Sequence, residues 1–149
     1  MSQKVLVPVD GSPESLHALE AAVGLANALG AGLVICSVTD VDQAATLGPE
    51  YVHGYLEALG EETAGIVKRA AAHVGGRVAE VESRVATGNV VEQIGQLASA
   101  TGATWIVMGS HGRSGLSRFL MGSVAEGVLH RSSVPVTIVP PQRKSVKAA

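Results

Sequence analysis

Hydrophobic residues along the chain follow two alternating patterns. Short continuous apolar runs, of which VLV at residues 5–7 is the first, are followed by longer segments in which apolar residues recur every three or four positions. The first pattern is typical of strands buried on both faces, and the second of helices that bury one face. The predicted strands lie at residues 5–9, 33–38, 79–85, 105–108 and 134–139, and the predicted helices at 13–29, 49–74, 90–98 and 123–130. This alternation predicts an α/β fold with a five-stranded, mostly parallel sheet and helices on both faces.

The third predicted strand differs from the others. In AEVESRV, residues 79–85, apolar and charged side chains alternate, which indicates a half-exposed strand at a sheet edge. With right-handed crossovers, that position favours the strand order 3-2-1-4-5, a flavodoxin-like arrangement. Strands one and four are then neighbours whose outgoing connections run to opposite faces. A ligand crevice is expected at their carboxyl ends.

Two further features concern organisation along the chain. Residues 40–50 (DVDQAATLGPE) have no clear periodicity and are predicted to form a loop. No linker, repeat or composition break divides the sequence, so we predict a single domain over residues 1–149.

Composition excludes several classes of protein. Apolar residues make up 46% and charged residues 16% of the 149 positions, which is too apolar for a disordered chain. The longest apolar runs reach about half a dozen residues, whereas a membrane-spanning helix needs about 20. The net charge of −2 gives no electrostatic footprint for nucleic acid. Cys36 stands alone, which fits a reducing compartment. We therefore expect a cytoplasmic protein without a signal peptide, a membrane segment or a nucleic-acid partner, and an inert buried thiol at Cys36.

The segment from Gly109 to Ser123 carries the candidate chemistry. Glycines at 109, 112 and 122 follow the fourth strand, and a helix begins near Ser123. Glycines allow a backbone to approach an anion closely, and a helix N-terminus offers free N–H groups to it. Ser123 would either cap that helix or donate its hydroxyl to a phosphate oxygen. The alternative is a surface loop with glycines at turn positions.

The spacing of this segment resembles a known family. Gly109-x2-Gly112-x9-Gly122-Ser123 matches the G-x2-G-x9-G-[ST] motif of the ATP-binding branch of the universal stress proteins. The segments VLVPVDGSPES, WIVMGSHGRSGLSRFLMGSVAE and HRSSVPVTIVP are similar to that family's, so the resemblance runs from Lys4 to Pro140. It implies an adenine nucleotide alpha hydrolase-like fold and a stress-response protein that binds ATP, with Mg or Mn held through the phosphates.

The resemblance also implies which residues contact the nucleotide. They are Pro8, Val9 and the backbone of Val38 around the adenine, Asp10 on the ribose hydroxyls, Met108 and Gly109 beneath the ribose and α-phosphate, and Gly112, Gly122, Ser123 and Val124 at the phosphates.

Asp10 and three polar residues beside this set are interpreted from their chemistry. A carboxylate at a strand end suits a pair of ribose hydroxyls, but Asp10 could equally close an Asx turn or cap the following helix. Arg113 and His111 lie in the loop and could neutralise phosphate charge, Arg113 through its fork of donors. We interpret Arg118 as a solvated loop charge.

Signatures of catalysis are absent from the sequence. It contains no G-x4-G-K-[ST], no G-x-G-x-x-G after the first strand, no G-x-S-x-G and no H-E-x-x-H. Its histidines have no metal-ligand spacing. We therefore predict no catalytic residue and no protein metal site, and expect a nucleotide-binding regulatory protein. The alternatives are a slow ATP-hydrolysing or nucleotidyl-transferring enzyme that uses the same pocket, and a structural dimer module that has lost its ligand.

The fifth predicted strand suggests self-association. Val134 to Val139 forms an apolar sheet edge in the proposed strand order, and an uncovered edge invites pairing. Pro135 removes one donor near its start and leaves most of the edge usable. A homodimer paired antiparallel along this strand is expected, as is common in the family that the chain resembles.

Overall fold

Strands and helices alternate along the chain in the computed structural model, which describes residues 2–111 and 121–142. The strands are β1 (Lys4–Pro8), β2 (Gly32–Asp40), β3 (Val81–Gly88), β4 (Trp105–Gly109) and β5 (Val136–Val139). The helices are α1 (Pro13–Leu29), α2 (Pro49–Val74), α3 (Val90–Thr101) and α4 (Ser123–Arg131), with a 3₁₀ turn at Val41–Ala44.

All five strands form one parallel sheet in the order β3-β2-β1-β4-β5. This confirms the predicted fold class and places β3 and β5 at the two edges. The carboxyl edge of the sheet is stepped, because the pairing of β1 with β2 ends at Pro8 and Cys36. Strand β2 continues beside β3 as far as Asp40. A notch is therefore left beyond the end of β1.

Both faces of the sheet are covered, which explains why its central strands are continuously apolar. Val5 and Val7 point to the face covered by α1 and α2, where they join a buried cluster. Leu6 and Ile106 point to the other face and pack with residues of α3 and α4. Cys36 lies fully buried in this second cluster, and burial raises the pKa of its thiol to about 12. This thiol is inert toward nucleophilic chemistry.

The prediction of a loop over residues 40–50 was wrong in part. The Asp40 carboxylate accepts a hydrogen bond from the Asp42 N–H at 2.9 Å and so starts the 3₁₀ turn at Val41–Ala44. Such side-chain capping is local and has no hydrophobic period, so the pattern did not reveal it.

The fifth strand begins two residues later than predicted. The Ser132 hydroxyl donates to the Val134 carbonyl at 2.8 Å and accepts from the Val134 N–H at 3.1 Å, which holds Val134 in a turn. Pairing with β4 starts at the Pro135 carbonyl, which accepts from the Ile106 N–H.

Strand β3 lies at the predicted edge but is more open than its alternation suggests. It begins at Val81, so Ala79 lies outside it, and the Val85 side chain is 55% exposed. Among the described residues, no helix is long and apolar enough to cross a membrane.

Candidate functional site

A cavity of about 440 Å³ opens at the carboxyl edge of the sheet, in the notch beyond β1. Its volume lies in the range of small-molecule sites. The ends of β1, β2 and β4 contribute to its lining, as do α2 on one side and α3 and α4 on the other. Nine of the predicted contact residues line it: Pro8, Val9, Asp10, Val38, Met108, Gly109, Gly122, Ser123 and Val124. Folding thus brings together residues that are more than 100 positions apart.

The remaining predicted contacts, Gly112 and Arg113, lie outside the described residues, as does Arg118.

Asp10 occupies the end of β1 and serves a local turn. Its Oδ1 accepts the Ser12 N–H at 2.9 Å, and its own N–H donates to the Ser15 hydroxyl at 3.3 Å. Gly11 between them has φ 83°, a conformation that favours glycine. The Asx turn that the sequence left open is therefore present. Asp10 also lines the cavity, so its carboxylate is placed at the notch as well as in the turn.

The backbone of Val38 faces the notch. The peptide groups of β2 point alternately to its two neighbours. The Cys36 carbonyl accepts from the Val9 N–H on the β1 side, and the Leu33 N–H donates to the Glu80 carbonyl on the β3 side. Peptide groups two residues apart on a strand point the same way, so those of Val38 point toward β1, as those of Cys36 do. Since the β1 pairing ends at Pro8, the Val38 N–H and C=O are directed at the space beyond it.

The start of α4 forms another wall of the cavity. Gly122 is its N-cap and supplies no side-chain hydrogen bond, so the alternative that Ser123 caps this helix is wrong. The Gly122 N–H donates to the Ser110 carbonyl at 2.7 Å, and a Cβ on Gly122 would lie 2.9 Å from that oxygen. Glycine is thus required here by close backbone approach. Among the described residues no side chain caps the first N–H groups of α4, and the helix start lines the cavity.

His111 lies beside this helix start and is only 8% exposed. Its Nδ1 is 2.8 Å from the Ser110 hydroxyl oxygen. Its Nε2 is buried and has no hydrogen-bond partner among the described residues.

Buried hydroxyl groups line the α2 side of the cavity, and none of them was among the predicted contact residues. Ser37, Thr39 and Thr63 all contribute to the lining. The Thr39 and Thr63 hydroxyl oxygens lie 2.9 Å apart. Thr63 lies on the same buried face of α2 as Ile66 and Val67. Its polarity within that face was the available signal.

The titratable side chains in the described lining of the cavity are three carboxylates and one histidine. Asp10, Asp40 and Glu62 line it together with His111, and its described lining contains no lysine or arginine. Within residues 2–111 and 121–142 there is also no group of three or more His, Cys, Asp or Glu side chains able to hold a metal ion.

The sheet and cavity together define an α/β domain with a cavity at the point where strand order reverses. The model of the universal stress protein family matches residues 1–140, and the chain belongs to this family.

Individual relatives agree with this assignment. The chain is 32% identical over 146 residues to universal stress protein MJ0531 of Methanocaldococcus jannaschii, covering 95% of this chain and 84% of that protein. The solved structure of protein MJ0577 superposes with a TM-score of 0.84 at 26% identity, over 97% of this chain and 99% of that one. A universal stress protein in complex with cAMP superposes with a TM-score of 0.69 at 27% identity, over 92% and 96% of the two chains.

Proposed function

We propose that this protein is a cytoplasmic stress-response protein that binds ATP in the cavity and acts through conformation or partner binding. The observation that carries the proposal is the start of α4, where uncapped N–H groups meet a cavity at the switch point of the sheet. A helix N-terminus of this kind suits a phosphate group. The related universal stress protein that was solved with cAMP supports an adenine nucleotide as the ligand.

The base and ribose would occupy the notch beyond β1. The Val38 N–H and C=O offer a donor and an acceptor side by side, which suits the edge of adenine. Pro8, Val9 and Met108 supply apolar surface for the ring and the sugar. The Asp10 carboxylate would accept from the ribose hydroxyls with the oxygen that does not hold the turn.

The phosphates would lie between Gly109 and the start of α4. We propose that Mg or Mn accompanies ATP, as the family resemblance implies, bound through the phosphate oxygens. Gly112 and Arg113 belong to this proposed phosphate site by the family motif.

Identification of the nucleotide tests the proposal directly. Protein purified without added ligand should release ATP on denaturation, detectable by ion-exchange chromatography. Titration calorimetry of stripped protein should show ATP binding that EDTA weakens. A protein that carries no nucleotide and gives no heat at millimolar ATP would refute the proposal.

Asp10→Asn separates the two roles of this residue. An asparagine oxygen can still accept the Ser12 N–H, so the turn persists, whereas the charged acceptor for the ribose is lost. We expect about tenfold weaker ATP binding, in line with the loss of a charged hydrogen bond. The loss should be smaller for 2′-deoxy-ATP, which has one hydroxyl fewer. An equal loss for both nucleotides would argue against a ribose contact.

We further propose a homodimer formed along β5. This edge strand is only partly buried over Val136–Ile138, and its outer backbone groups are available to a second copy. Light scattering should give twice the monomer mass, and Ile138→Pro should reduce it, because the Ile138 N–H points away from β4 on the outer side of the strand. A monomer mass for the unmodified protein would contradict the proposal.

A further inference from the structure

Two threonines on the α2 side of the cavity form a hydrogen-bond chain with a fixed direction. The Thr63 hydroxyl lies 2.8 Å from the carbonyl oxygen of Leu59, one turn earlier in α2. A carbonyl can only accept, so Thr63 must donate its single proton there. The Thr39 and Thr63 oxygens are 2.9 Å apart. Since the proton of Thr63 is already used, Thr39 is the donor in this second bond.

This order leaves Thr39 without a proton for a ligand. Thr39 is 3% exposed, lies at the end of β2 next to Val38 and lines the cavity. Its peptide groups belong to the pairing with Thr87 on β3. The group that it offers the cavity is therefore the hydroxyl oxygen, which acts as an acceptor while the Thr39–Thr63 bond is kept.

We propose that Thr39 is a specificity-determining residue that selects purines with an amino group at position 6 over purines with a carbonyl there. The inference rests on the proposed nucleotide function, because the base is placed beside Val38. An exocyclic amino group brings its own proton to the Thr39 oxygen. A carbonyl at the same position would face the lone pairs of Thr39, or would take its proton only at the cost of the Thr39–Thr63 bond. Thr63 acts through Thr39 and is a positioning residue.

The test compares ATP with inosine triphosphate (ITP), which carries a carbonyl at position 6, by titration calorimetry. The unmodified protein should prefer ATP. Thr39→Val keeps the side-chain shape and removes the acceptor, so it should weaken ATP binding about fivefold and change ITP binding little, as expected for one neutral hydrogen bond. Thr63→Val should instead change ITP binding. It removes the acceptor of the Thr39 proton, so Thr39 can donate to the carbonyl of ITP, and ITP binding should strengthen several-fold.

Thr101→Val is the matched control. Thr101 is also buried in a helix and donates to a carbonyl one turn earlier, Leu97, at 2.7 Å, but it is not among the residues that line the cavity. It should leave the ATP-to-ITP ratio unchanged. Thermal unfolding of all variants checks that the fold persists, and Thr39→Ser, which retains the hydroxyl, should keep the preference if Thr39→Val is unstable.

The outcomes separate the two proposals. If the unmodified protein binds neither nucleotide, the proposed function fails and the inference falls with it. The inference alone is overturned in two cases. In the first, the protein binds ATP but neither Thr39→Val nor Thr63→Val changes the ATP-to-ITP affinity ratio. In the second, a variant weakens the binding of both nucleotides equally, and the threonine pair is then a packing contact. The inference is supported if the ATP-to-ITP affinity ratio falls in both variants, because ATP binds more weakly to Thr39→Val and ITP binds more tightly to Thr63→Val.

Discussion

Helices α3 and α4 both begin at the carboxyl edge of the sheet, but their first turns are satisfied in different ways. Before α3, the Asn89 side chain accepts the Glu92 N–H at 3.1 Å, which closes the helix start within the chain. Before α4 stands Gly122, which has no side chain to do this. The cavity lies against the uncapped start.

The two helix starts therefore differ in whether their first N–H groups are bonded by a side chain of the described residues. Helix starts are normally capped by a side chain or by water, and a cap contributes about 1 kcal/mol to stability. At α4 that contribution is absent. The N-cap position is taken by Gly122, whose backbone packs closely against the Ser110 carbonyl. Hydrogen-bonding groups of the described residues therefore remain open toward the cavity here, as they do at the Val38 peptide groups.

The largest expected effect comes from adding a methyl group at the open start. Gly122→Ala would place a Cβ 2.9 Å from the Ser110 carbonyl oxygen, so the backbone must shift. We expect ATP binding to weaken at least about tenfold and the free energy of unfolding to fall by about 1–3 kcal/mol, the usual cost of overpacking. Calorimetry and urea unfolding measure the two effects.

Two control variants sharpen that comparison. Gly95→Ala lies in the exposed middle of α3 with nothing within 4 Å of the added Cβ, and should stabilise the protein slightly without changing ATP affinity. Asn89→Ala removes the cap of α3 and should cost about 1 kcal/mol of stability, again without changing ATP affinity. Equal loss of ATP binding in Asn89→Ala and Gly122→Ala would mean that the two helix starts do not differ in function.

The smallest expected effect concerns a cluster of hydrogen-bonded polar side chains that do not line the cavity. The Arg77 guanidinium bonds both Glu20 oxygens at 2.8 Å, and the His73 Nε2 lies 2.6 Å from one of them. Hydrogen bonds from Arg77 and then from His73 lower the pKa of Glu20 to about 2. The pair ties α1 to the end of α2.

The sign of the pH effect follows from that lowered pKa. The stabilisation by ionised Glu20 is fully present above its unfolded pKa of 4.5 and is lost as the pH falls from 4.5 toward 2. Because the Glu20 side chain is 42% exposed, the effect is screened and small. Glu20→Gln should lower the melting temperature at pH 7 by no more than about 4 °C, and the gap should close on acidification. Differential scanning calorimetry from pH 2 to 7 measures it, with exposed Glu61→Gln as the control; a gap that persists at pH 2 would contradict the assignment.

Much of the fold was predictable because its strands are buried on both faces. The apolar runs of β1, β2 and β4 admit few alternatives, and the alternation in β3 marked an edge, which together gave the strand order. The errors fell where local hydrogen bonds act without a hydrophobic period: the Asp40 cap of the 3₁₀ turn, and the Ser132 turn that delays β5.

The candidate site was predictable to a different degree. The glycine spacing and Asp10 stand out in the sequence because both depend on backbone conformation, which local residue types encode. Ser37, Thr39 and Thr63 do not, since a threonine on an apolar helix face shows no partner until the strand opposite is known. Only the folded structure shows that Asp10 both holds a turn and lines the cavity.

The sequence by itself determined the α/β class, the strand order and the glycine segment, because burial patterns and backbone-permissive residues act locally along the chain. Only the tertiary structure decided where hydrogen-bonding groups remain open. It set the length of β1 against β2 and so exposed the Val38 peptide groups, and it placed Gly122 against Ser110 so that α4 begins uncapped. It also fixed the direction of the Thr39–Thr63–Leu59 chain, because that order depends on contacts between β2 and α2 that no local pattern contains.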